Sequence, residues 1–217
     1  MKSSLLDYLL CTVVVTFILG ASVGLVYMQY SFSKALLQDF HVIFDSLLLL
    51  LAFGLITGVV VRCIVRIWPI APGEYDSDSP VFVRWKLVSV LYRLGQGALL
   101  PFTSVVTKPL VETLFGAKLG ADVALGGAID DPYQVTVGKE AILGFNSLVS
   151  GNMLYGGKLV CGKVKIGAGA LIGVNCVVLP GVEIGEKAVL MGGAHVMPNT
   201  KIPAGETWRG NPARKWQ

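Results

Sequence analysis

Between residues 166 and 201 an aliphatic side chain returns at every sixth position, followed by glycine in half of the hexads. Ile166-Gly167, Ile172-Gly173, Ile184-Gly185 and Leu190-Met191 share one phase, and Val178 and Val196 continue it. Four residues into each hexad stands a slender side chain: Ala170, Cys176, Val182, Ala188, Ala194 and Thr200. A repeat this short leaves room for one flat strand and one corner, so three successive hexads must close a coil and the next coil must stack on it. The expected fold is a parallel β-helix of hexapeptide repeats, with the aliphatic residue inside a narrow triangular core and Gly or Asn at the corners. Hexapeptide periodicity does not fix the hand of the coil, although right-handed crossovers are the general rule.

The same period runs back through Leu119-Gly120, Leu125-Gly126, Val137-Gly138 and Leu143-Gly144, with Asp131 in the slot between. A slip of one residue falls around 148–154, after which Leu154, Val160 and Ile166 carry the period to Ile202. The β-helix is thus expected over residues 119–217, with about fourteen hexads, between four and five coils.

An apolar content of 53% exceeds that of an ordinary soluble chain, and the excess lies before Arg62. Residues 8–27 are uncharged and, at about 1.5 Å per residue, long enough for the ~30 Å hydrocarbon core. Lys2 is a weak n-region and the run exceeds a signal h-region, which disfavours a cleaved leader. A second run, 42–61, carries only Asp45 and ends at Arg62, Arg66 and Trp68, an interfacial anchor. Residues 1–68 are therefore expected to form a two-helix transmembrane hairpin. The cations that follow it, Arg62, Arg66, Arg84, Lys86 and Arg93, place both termini and the β-helix on the cytoplasmic side of the inner membrane. Asp45 is close enough to the outer boundary to be solvated there, and Gly20 and Gly24 offer a small-xxx-small spacing for close helix approach.

Residues 69–118 connect the two parts. Residues 69–80 read as a polar, turn-rich linker, and 81–100 as a basic amphipathic helix suited either to an anionic leaflet or to capping the open end of the β-helix. Pro101 interrupts it, and 102–115 reads as a second short helix tolerating Pro109. Cys11, Cys63, Cys161 and Cys176 have no metal-ligand spacing and fit small core fillers in a reducing compartment. A net charge of +4 is modest and gives no footprint for nucleic acid.

The C-terminal sequence is more specific. Leu179-Pro180-Gly181-Val182-Glu183-Ile184-Gly185, then Gly192-Gly193-Ala194-His195-Val196, Ile202-Pro203 and Gly210-Asn211-Pro212-Ala213 resemble the motifs that close the hexapeptide-repeat acyltransferases. With Trp208 and the apolar region upstream, the chain is also similar to acyltransferase-like modules of membrane-bound peptide synthetases. The resemblance implies a left-handed coil and a homotrimer with parallel axes and intersubunit sites. It also implies acetyl-CoA or another acyl-CoA as co-substrate, its pantetheine arm held at Gly192, Gly193 and Ala194 and its phosphates near Lys201 and Arg209. Each of these residues has an alternative reading as a repeat corner or a solvated surface charge.

The family's general base is a histidine whose position falls here at Asn152, and an amide cannot accept the proton. Of the two histidines, His41 lies at the outer side, which leaves His195, where the family has Ser, as a displaced base or as an outward-facing corner residue. The γ-class carbonic anhydrases of the same fold need three histidines on zinc, more than this sequence holds. Two functions therefore stand. The first is a membrane-anchored acyltransferase transferring an acyl (acetyl) group from CoA to an acceptor at the cytoplasmic membrane face. The second is a catalytically inactive trimeric scaffold for a membrane complex, in contact with lipid and with another membrane protein.

Overall fold

The computed structural model describes residues 5–216, and Lys2 lies outside them. Helix α1 (Leu5–Leu37) and helix α2 (His41–Ile67) are joined by a single 3-10 turn at Gln38–Phe40. The segment expected as a loop between two spans is therefore almost entirely helical, since residues 28–37 hold no Pro or Gly to stop α1. The two helices pair antiparallel, and near the turn Gln29 Nε2 donates to Asp45 Oδ1 at 2.6 Å. By length and composition residues 7–67 are apolar enough to cross a membrane.

Close helix approach occurs at glycines other than those expected. Among the described residues, and apart from the helix's own nearby backbone, nothing lies within 4 Å of where a Cβ would stand on Gly20 or Gly24. On Gly54 and Gly58 of α2, one turn apart, a Cβ would stand 2.3 Å from Leu99 Cγ and 2.4 Å from Leu114 Cγ. Those leucines belong to the connector. Helix α3 (Pro80–Leu99) starts at Ser79, whose hydroxyl accepts from the Phe82 N–H at 3.2 Å, with Pro80 in the first turn. Helix α4 is short (Lys108–Leu114) and takes Pro109 in its first turn, where the missing N–H costs nothing. Both pack on α2, and Phe82, Leu91, Leu99 and Phe115 fill the core between them.

Residues 69–80 are only partly a linker. Strand β1 (Gly73–Asp76) lies within them and pairs antiparallel with a later strand. The first coil of the β-helix follows α4 and consists of β2 (Lys118–Leu119), β3 (Ala124–Leu125) and β4 (Ala128–Asp130). The second consists of β5 (Val135–Val137), β6 (Ile142–Leu143) and β7 (Leu148–Ser150). A hairpin, β8 (Asn152–Tyr155) and β9 (Lys158–Cys161), then leaves the coil and pairs with β1 in the order β1-β9-β8. The third coil is β10 (Val164–Ile166), β11 (Leu171–Ile172) and β12 (Val177–Val178). The fourth is β13 (Glu183–Ile184), β14 (Val189–Leu190) and β15 (His195–Val196). Two faces of a fifth, β16 (Lys201–Ile202) and β17 (Thr207–Arg209), precede the antiparallel β18 (Arg214–Lys215).

Parallel pairing stacks the aliphatic residues in three ladders. Leu119, Val137, Ile166, Ile184 and Ile202 form one. Leu125, Leu143, Ile172, Leu190 and Trp208 form the second, and Ile129, Val149, Val178 and Val196 the third. Two expectations change here. Ile129, not Asp131, holds the third slot of the first coil: the corner after Leu125 is short, and the spare length goes into the 3-10 turn Pro132–Gln134, to which Asp131 is the N-cap at φ 55°. Val149 stays in phase, so no slip occurs at 148; Leu154 and Val160 lie on the excursion hairpin rather than in the core.

The corners also explain the residue pattern. Gly181 at φ 77° and Gly193 at φ 74° take the left-handed region, as do Asn175, Asn199 and even Lys187. They differ in crowding: a Cβ on Gly181 would stand 2.1 Å from Asn199 Oδ1, whereas on Gly193 it meets nothing within 4 Å among the described residues. Gly181→Ala is expected to lower stability by roughly 2–4 kcal/mol, through strain plus overpacking, and Gly193→Ala by only about 1 kcal/mol. Among the helices, Gly58→Ala should destabilise by about 1–3 kcal/mol and Gly20→Ala should not. Thermal unfolding of the four variants checks this ordering.

Candidate functional site

The residues singled out in the sequence fall in three places. At the corner between the β14 and β15 faces, Gly192 and Gly193 are exposed, and the Gly193 N–H donates to Val174 C=O at 2.9 Å. Ala194 is fully buried, so its methyl fills the core and offers only backbone to a ligand. His195 follows on β15, half-buried on the outer face beside Val177, while Val196 points inward. The C-terminal tail holds its backbone. The His195 N–H donates to Gly210 C=O at 2.9 Å, and the Ala213 N–H donates to His195 C=O at 2.8 Å. Arg209, on the next coil, lies exposed next to this corner with its guanidinium 5.3 Å from the Trp216 ring centroid.

Lys201 is not part of that cluster. It stands on a different face, where its ammonium is 3.7 Å from Glu183, and Glu183 also accepts from Lys165 Nζ at 3.0 Å. Those cations hold the Glu183 carboxyl below its ordinary value. Trp208 is also accounted for structurally: it ends the second ladder, and its indole N–H donates to Glu206 Oε2 at 2.9 Å.

Asn152 lies where a base cannot act on a solvent-borne substrate. It is 8% exposed, and its Nδ2 donates to Asp131 Oδ2 at 2.8 Å and to Asp130 Oδ2 at 3.3 Å. Trp85 Nε1 of α3 donates to the same Asp131 Oδ2 at 2.9 Å. One carboxylate thus joins the helical connector, the first coil and the hairpin. Burial pushes the Asp131 carboxyl up to about 7, with the neighbouring negative charge of Asp130 adding to it and the two N–H donors opposing. Burial likewise raises the Cys161 thiol, at the far end of the hairpin, to about 12, so it is an inert filler.

A second buried carboxyl escaped the sequence reading. Glu112 of α4 is fully enclosed and is raised to about 7 by burial, despite Tyr92, Lys108 and Gln96 nearby. Tyr92 Oη lies 2.9 Å from Glu112 Oε2 and 2.8 Å from Ile129 C=O, and Gln96 Nε2 donates to Glu112 Oε1 at 3.1 Å. A protonated Glu112 completes this chain, donating to Tyr92 while the phenol donates to Ile129. The available signal was a single carboxylate among apolar residues of a short helix that has to seat on the first coil.

The comparisons with known proteins converge on the coil. Residues 163–197 match the family described as the hexapeptide repeat of succinyl-transferase. "Putative acetyltransferase YvoF" of Bacillus subtilis is 36% identical over 83 residues, 38% of this chain and 47% of that protein. The mitochondrial γ carbonic anhydrase 2 of Arabidopsis thaliana is 34% identical over 107 residues, 46% of this chain and 38% of that protein. The chain thus spans less than half the length of these relatives. Among solved structures, a galactoside acetyltransferase in complex with coenzyme A superposes with a TM-score of 0.52 at 17% identity, covering 72% of this chain and 90% of that one, a likeness of fold. What these comparisons share is the hexapeptide repeat of the coil.

The two raised carboxyls fix a pH dependence. Each binds its proton more tightly folded than unfolded, so its stabilising contribution is complete below the unfolded value near 4–4.5 and is lost as pH rises to about 7. The melting temperature should therefore fall between pH 5 and pH 8. Glu112→Gln, which keeps the size and removes the titration, should flatten that slope by on the order of 3 kcal/mol.

Proposed function

We propose that the chain is a membrane-anchored acyltransferase, with α1 and α2 crossing the inner membrane as a hairpin and the β-helix on the cytoplasmic side. Three copies pack through their flat faces. In support, Ile142, Phe145, Leu148, Leu171 and Val174 form an outward apolar strip on adjacent faces and their shared corner, which a solvated monomer would leave wet. An acyl-CoA, acetyl-CoA in the simplest case, lies in the groove between copies, its pantetheine beside Gly192 and Gly193 and its phosphates within reach of Arg209. Lys201, on another face, would have to reach the same groove from a neighbouring copy.

The observation that carries this reading is the position of His195: the one histidine of the β-helix stands on the outer face two residues after an exposed glycine corner, inside the segment that matches the succinyl-transferase repeat. As general base it would take the proton of an acceptor hydroxyl or amine as that atom attacks the thioester carbonyl. The carbon–sulfur bond then breaks, and the CoA thiolate recovers the proton.

One observation favours a second reading, a catalytically silent scaffold for a membrane complex. Asn152 occupies the place of the family's base and is committed to Asp131. His195→Ala in the detergent-purified protein separates the two. Loss of acyl transfer by about 10²- to 10⁴-fold, with the CoA-induced rise in melting temperature retained, supports the base. Unchanged turnover removes His195 from the mechanism, and no melting shift at millimolar CoA favours the scaffold.

A further inference from the structure

Where α2 meets the β-helix, a groove of ≈ 390 Å³ opens, walled by Val59 and Phe115 and bordered by Arg62, Arg66, Lys118 and Tyr133. Its chemistry is divided lengthwise. Arg62 and Arg66, one helical turn apart, lie on one side of α2. Toward the middle of α2 the exposed surface continues as Val59 and Leu55, 55% and 45% exposed. Lys118, at the first strand of the first coil, lines the same groove.

These three cations are exposed, and among the described residues none has a carboxylate within ion-pair distance. The other cations of the connector are used differently: Lys86 pairs with Asp7, Arg93 with Asp130, and Lys108 donates to Gly127 C=O. Two like charges at i and i+4 repel, and a third brought across from another element adds to the repulsion unless an anion sits between them. An arginine pair suits the forked geometry of phosphate oxygens, and a lysine adds a point charge. The apolar wall leading away from them asks for a hydrocarbon chain.

We infer that this groove is a binding site for an anionic phospholipid, its phosphate held by Arg62, Arg66 and Lys118 and one acyl chain laid along Val59 and Leu55. The inference rests on the membrane-anchor reading above, because it sets the arginines at the level of the headgroups. Tyr133 then stands at the polar–apolar boundary, as such rings do. A bound lipid would tie the end of α2 to the first coil and so set the height of the β-helix above the bilayer.

The test uses the full chain in a neutral detergent, titrated with phosphatidylglycerol, with phosphatidylcholine at the same mole fraction, or with inorganic phosphate, and followed by melting temperature. Phosphatidylglycerol should raise it by several degrees and phosphatidylcholine should not. Lys118→Gln, which lies outside the helices and leaves their insertion alone, should weaken the apparent affinity about tenfold, and Arg62→Gln with Arg66→Gln more. Equal responses to both lipids, or an undiminished response in Lys118→Gln, would overturn the site. The same rise with phosphate alone would assign the groove to a free anion instead. Carbonate extraction of native membranes is the separate control: a chain released by it contradicts the anchor, while the titration still reports on the groove.

Discussion

Everything in the β-helix follows from the distance at which one coil must approach the next. Parallel strands hydrogen-bond at about 4.8 Å, so each corner also comes down on the corner below. At Gly167 a Cβ would stand 2.5 Å from the Glu186 backbone nitrogen, and at Gly185 2.4 Å from that of Ala204. Small residues after the ladder position are thus imposed by backbone contact between coils, and the fully buried Ala170, Cys176, Ala188 and Ala194 by the narrowness of the triangle. The three ladders supply the apolar burial that holds this arrangement together, and the second of them is closed by Trp208 under the returning tail.

The end nearer the N-terminus is closed by other means. Strand edges left open would invite another chain, and here α3 seats on the β-helix through Trp85 to Asp131 and Tyr92 to Ile129, and α4 through Lys108 to Gly127 C=O. The two bonds differ in character. Asp131 accepts from two N–H donors, whereas the Tyr92 phenol is linked to Glu112, and burial raises both carboxyls to about 7. The Tyr92 phenol itself is pushed up by burial and by Glu112, so it remains a hydrogen-bond donor throughout.

How much of this the sequence discloses depends on the range of the interaction. Ile166 through Ile202 announce themselves because each hexad repeats the same local steric demand. Asp131 does not, because it occupies a periodic position while the chain shortens one corner and lengthens the next to place Ile129 there. Leu154 and Val160 mislead for the same reason: apolar residues at the right interval that pack in a hairpin. Strand β1 gives no local signal, since Gly73-Glu74-Tyr75-Asp76 becomes a strand only through β9, some eighty residues on. The glycines of α1 and α2 look alike in sequence, and only the approach of Leu99 and Leu114 tells Gly54 and Gly58 from Gly20 and Gly24. At the candidate site, His195 and the Gly192-Gly193 corner were legible as motif, while the burial of Asn152 and Ala194, the separate face of Lys201, and Glu112 required the packed structure.

The three-stranded sheet β1-β9-β8 has a mechanical consequence. Because Gly73–Asp76 is hydrogen-bonded to a loop thrown out by the β-helix itself, the connection from α2 cannot act as a slack tether. Rotation of the solenoid about its own axis would have to shear a backbone ladder, so twist applied at one end of the molecule is delivered to the other. The chain behaves as a crank with a locked elbow, and any partner that turns the helices would turn the outer corner bearing His195 with them.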